Sequence, residues 1–207
     1  MPERGGNLTE QIRALREQTG AGVMECKKAL KEAGGRMEEA VRLLRARGAA
    51  IATEKAGRKA CQGLIGSYVH GGRIGVLVEV NCETDFVART DAFKQLVLDL
   101  CLQVASMNPA YVSREEVPPE EIGRELEQLH DEIQGVEDES AQPIQQAHME
   151  QFYKERVLLD QTFVKDPTRT VRDLIHEVVA STREKIAVRR FVRMTLGEAA
   201  EACQPGS

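Results

Sequence analysis

Helical spacing of apolar positions begins as soon as the chain leaves its first polar residues. Ile12 and Leu15 set a 3.6-residue period across "LTEQIRALREQ", with Thr9 as the expected N-cap. "TGAG" (Thr19 to Gly22) interrupts that period, and "VMECKKALKEAGG" restarts it with Cys26 and Leu30 on one side. A third helix is predicted over "RMEEAVRLLRARG", where Met37, Val41 and Leu44 recur at three- and four-residue spacing, and Gly48 is expected to end it. Three short helices in about forty residues make a small bundle with a thin core, marginal by itself and suited to presenting a surface. Residues 49–61, rich in alanine but without an apolar stripe, read as a helical linker.

The period then changes. "GLIGSYVH" and "RIGVLVEVN" are β-rich runs around Gly71-Gly72 and predict a hairpin. "NCETDFVART" (81–90) is a strand-to-helix turn. Phe93, Leu96, Val97, Leu100, Cys101 and Val104 mark the helix that follows, capped by Thr90 or Asp91. Prolines make "NPAYVSREEVPPEE" a loop. Ile122, Leu126, Leu129 and Ile133, a break at Gly135, then Ile144, Met149 and Phe152 describe a helical hairpin over about 118–158. Thr170 is placed to cap "VRDLIHEVVAS", and "KIAVRRFVRMTLG" closes the pattern as a strand. The order predicts an α+β core with a small antiparallel sheet after the helical bundle.

Charge narrows the function. The net charge of the 207 residues is -5, and residues 111–160 hold fourteen acids against four bases, a solvated helical face that would repel phosphate. "VRRFVR" offers neither face of a strand as a stacking platform, so direct nucleic-acid binding is not expected. No apolar run reaches membrane-spanning length, Met1 to Gly6 does not read as a signal peptide, and no membrane association is expected. Cys26, Cys61, Cys82, Cys101 and Cys203 are scattered and odd in number, as reduced thiols of a cytoplasmic protein would be. No histidine stands at a nucleophile-motif spacing and no phosphate-binding glycine loop occurs. Neither catalytic residues nor a metal or cofactor is therefore expected.

Two places remain unexplained by folding alone. In the first, Met24 follows the turn that opens the second helix, and Met24, Cys26 and Lys27 are candidate partner contacts, with Val23 assigned to the core. In the second, Asp85 and Phe86 sit in a solvent-facing turn of a chain with five phenylalanines and no tryptophan. Phe86 either packs within its own domain while Asp85 caps the turn, or is held out for another protein.

"LREQTGAGVMECKKAL" and "VNCETDFVART" closely resemble the two signatures of bacterial translation elongation factor Ts. "LLDQTFVKD" and "VRRFVRMTLGE" resemble later stretches in the family's order. Ala147-His148 stands where the family usually carries Gly-Arg, and Thr162 where proline is common. The resemblance implies a ubiquitin-associated-like domain at 1–54 and an α+β core of the dimerisation type at 55–207. It implies guanine-nucleotide exchange on elongation factor Tu, nucleotide-free or GDP-bound. It assigns Thr84, Asp85, Phe86 and Val87 to the segment that disturbs the partner's magnesium and phosphate site. The chain looks like the short family form with one core subdomain, for which a homodimer is expected. A ubiquitin-like-binding or scaffold protein is the alternative; it accounts for the bundle but not for the second signature.

Overall fold

The computed structural model describes residues 7–132 and 138–198. The break expected at Gly135 and the thiol of Cys203 lie outside them. Contacts group the chain into two compact units: residues 1–65, 79–97 and 172–188 form one, and residues 66–78, 98–171 and 189–207 the other. No helix among the described residues is long and apolar enough to cross a membrane.

The first unit opens with α1 (Leu8–Thr19), α2 (Val23–Glu32) and α3 (Met37–Lys55). Asn7, not Thr9, caps α1: its Oδ1 accepts the Thr9 N–H at 3.3 Å. Nine buried residues fill the bundle, and four are alanines (Ala21, Ala29, Ala33 and Ala40), which let the helices approach closely around Leu15, Leu30 and Leu44. Gly48 does not end α3, and the expected linker is largely its continuation to Lys55. A glycine inside a helix costs about 1 kcal/mol relative to alanine, and here it admits a neighbour. A Cβ at position 48 would lie 3.1 Å from the carbonyl oxygen of His176 in α8 (Val171–Thr182).

β1 (Gln62–His70), β2 (Ile74–Cys82) and β5 (Ala187–Thr195) form a three-stranded antiparallel sheet in the order β1-β2-β5, each strand divided between the two units. Alternation in β2 buries Val76, Val78, Val80 and Cys82 and turns Leu77 outward. One-turn α4 (Asp85–Ala88) follows β2, and then α5 (Asp91–Met107). Thr90 caps α5, accepting the Phe93 N–H at 3.3 Å.

In the second unit, α6 (Pro119–Glu132) and α7 (Asp138–Arg156) carry the acidic stretch. Val117, Phe152 and Val157 are buried at their base, with Tyr111, Ile122 and Met149 packed against them. Arg114 locks that base. Its guanidinium takes Glu150 in a two-pronged pair at 2.8 Å each, reaches Asp160 at 3.0 Å, and lies 4.4 Å over the Tyr153 ring. His148 meets Glu125 across the two helices at 2.7 Å. A hairpin absent from the sequence reading, β3 (Thr162–Phe163) with β4 (Asp166–Thr170), pairs Thr162 with Thr170. Buried Gln103 satisfies its turn, donating to the Thr162 carbonyl at 3.1 Å and accepting the Val164 N–H at 2.9 Å.

Candidate functional site

β2 ends in buried Cys82 because its inward alternation runs out there, and the chain must leave the sheet within a residue or two. Thr84 adopts an extended backbone and caps the single turn Asp85–Ala88, its Oγ1 accepting the Val87 N–H at 3.4 Å. Asp85 is therefore the first helical residue, not the cap. It pairs with Arg89 at 2.7 Å, an exposed i,i+4 contact of small energetic weight. Val87 and Ala88 are buried and anchor the turn. Phe86 points the other way and is 76% exposed, so its ring does not pack inside its own domain.

The turn is held from a distant part of the chain. The Glu184 carboxylate accepts the backbone N–H groups of Glu83 at 3.1 Å and Thr84 at 3.0 Å, and the Thr84 hydroxyl at 2.6 Å. In return, the Glu83 carboxylate accepts the Lys185 N–H at 2.7 Å and a guanidinium N–H of Arg58 at 3.2 Å. The Lys185 N–H, with help from Arg58, holds the Glu83 carboxyl below its ordinary range. Beneath them the Cys82 thiol donates to the Thr84 carbonyl at 3.1 Å, and burial pushes its pKa up, so it stays protonated.

The residues expected to contact a partner lie in the same unit. Met24 is 74% exposed in the first turn of α2, and Lys27, one turn on, is exposed as well. Two assignments change. Val23, expected in the core, is half exposed beside Met24 and joins the surface. Cys26 has no exposed surface to offer a partner: its thiol faces the Ala21 carbonyl at 3.6 Å and burial raises its pKa. Cys26 shares the inward stripe of Ala29 and Leu30, and Met24 and Lys27 share the outward one; Val23, seven residues before Leu30, stands at the first position of α2, where it stays half exposed.

Met24 and Phe86 thus both stand in water beside buried neighbours, Cys26 and Val87. A family model described as elongation factor TS matches residues 7–198. Elongation factor Ts of Thermoanaerobacter sp. (strain X514) is 50% identical over 195 residues, spanning 93% of this chain and 96% of that protein. The same factor from Moorella thermoacetica is 52% identical over 190 residues (90% and 94%), and from Coprothermobacter proteolyticus 53% over 190 residues (90% and 96%). The chain belongs to the elongation factor Ts family. With that membership comes the family's role in translation elongation, nucleotide exchange for elongation factor Tu.

Proposed function

We propose that this chain docks on elongation factor Tu through Val23, Met24 and Lys27 and then inserts Phe86, with the flanking Thr84, Asp85 and Val87, beside the partner's magnesium and phosphate site to release GDP. The observation that carries this reading is the exposed Phe86 ring on a turn whose neighbours are buried or bonded. Such a factor needs no reactive group and no cofactor of its own. It must bind the nucleotide-free partner more tightly than the loaded one, and because coupling is reciprocal, that difference weakens the nucleotide's hold. A magnesium ion bridging phosphate oxygens is sensitive to small displacements of its ligands. A phenyl ring that finds an apolar slot there supplies the binding energy to make them. In this reading residues 1–54 dock and residues 55–207 carry the exchange turn, in the cytoplasm where translation runs.

Release of fluorescent GDP from elongation factor Tu, with and without this chain, is the direct test. Unchanged release at saturating factor would refute exchange. Varying the factor's concentration separates docking from insertion. Met24→Asp places a charge on the docking corner at little cost to the fold, so the half-saturating concentration should rise about tenfold while the maximal rate holds. An unmoved half-saturation point removes Met24 from the interface.

The reading includes a homodimer. Within the second unit, Val69, Leu77, Val192 and Met194 are exposed on strands of one sheet, with Leu196 just beyond β5. Apolar residues exposed on the strands of one sheet offer a surface that a second copy of the chain can cover. Light scattering should return twice the mass of one chain, and Met194→Glu should return a single one. A wild-type monomer at every concentration would rule out pairing.

A further inference from the structure

Insertion requires that Phe86 arrive at a set place relative to the docking corner, and three consecutive residues are built to set it. Arg183, Glu184 and Lys185, between α8 and β5, each reach a different part of the first unit. The Arg183 guanidinium pairs with Glu25, the residue after Met24. The Glu184 carboxylate takes the three bonds at Glu83 and Thr84, two residues before Phe86. The Lys185 ammonium donates to the carbonyls of Ala56 at 2.6 Å and Arg58 at 3.0 Å, just past the end of α3. Arg183 has a φ of 61°, a left-handed conformation uncommon for residues other than glycine, and its N–H bonds the Val179 carbonyl at 2.8 Å as α8 ends. The kink sends successive side chains toward separate targets.

We propose that Arg183–Lys185 is a positioning clasp that fixes the exchange turn to the docking corner, with Glu184 as the positioning residue for Phe86. The inference rests on the insertion reading above. Three donors converge on one carboxylate, and Glu83 returns a bond to the same connector, so neither strand end can slide without breaking bonds at both. Glu184 and Thr84 are open enough for water to replace a lost carboxylate. Its removal should therefore loosen the turn's aim more than it unfolds the chain. An aim loosened by about 1 Å is costly where a group must enter a fixed slot.

The test uses the full-length chain and stimulated GDP release at varied factor concentration, with thermal melting as the check on folding. Glu184→Ala should lower the maximal rate about tenfold and move half-saturation less than about threefold. Glu184→Gln, which keeps one acceptor oxygen, should fall between, and it carries the same comparison should the alanine variant melt early. The decisive measurement is the cycle with Phe86→Ala. In that background Glu184→Ala should slow release by no more than about twofold further, because no ring remains to aim. Losses that multiply overturn the clasp, since a merely structural role predicts them. Arg183→Glu and Glu25→Arg should each impair exchange, and the charge-exchanged double variant should recover it; no recovery removes Arg183 from the clasp. Wild-type kinetics for Phe86→Ala would overturn insertion and clasp together. A slow Phe86→Ala beside an unimpaired Glu184→Ala would overturn the clasp alone.

Discussion

Phe86→Ala should cut the maximal stimulated rate of GDP release by about 30- to 150-fold while leaving the protein folded. The size follows from burying one phenyl ring, worth about 2–3 kcal/mol, with each 1.4 kcal/mol a factor of ten in rate. The ring is 76% exposed in the free chain, so its loss removes almost no native packing and the melting temperature should barely move. The turn itself survives, because its cap is Thr84 and its anchors are Val87 and Ala88. Phe86→Leu should recover part of the rate, since a leucine fills some of the slot. Full-speed release by the alanine variant, measured at saturating factor, would remove the wedge from the mechanism.

A second large effect is expected where β1 crosses β2. Gly63→Ala should destabilise the chain on the order of 3–5 kcal/mol, seen as a melting temperature lower by about ten degrees. Gly63 has a φ of 149°, and a Cβ built there would lie 2.1 Å from the Val80 carbonyl oxygen and 2.8 Å from the Asn81 Cα. Both neighbours are backbone, so no side chain can rotate aside. One strand must move, and the displaced residues lead directly into Cys82, Glu83 and Thr84. Exchange should therefore weaken along with stability. Gly75→Ala is the matched control: the same sheet has open space at that position, so the change should be nearly neutral. Equal melting of the two variants would refute the close approach.

What could be read from residue order was whatever repeats locally. The three helices of the bundle and the strand pair around Gly71-Gly72 follow from periods of 3.6 and 2, and the strand-to-helix turn within 81–90 follows from where those periods meet. Gly48 misled because a glycine after a helical run signals a stop, whereas its tertiary role is to admit the His176 carbonyl. Val23 shares the period of Cys26 and Leu30 but, as the first residue of α2, stays half exposed, whereas Cys26, proposed as a contact from that same side, is fully buried. Glu184 carried no signal at all. In "STREKIAV" it is one charge among several, and its meaning lies in Thr84, 100 positions away. β3 and β4 were missed for a related reason: a two-residue strand has no period to detect.

That 100-residue separation also bears on the order in which the molecule becomes competent during its own synthesis. Thr84 and Phe86 leave the ribosome long before Glu184 does, so β2 can pair and α5 can wind while the exchange turn still lacks its distant carboxylate. A nascent chain halted before α8 ends would carry every residue of the proposed wedge and none of Arg183, Glu184 and Lys185. The connector between α8 and β5 supplies that carboxylate a hundred residues after Thr84.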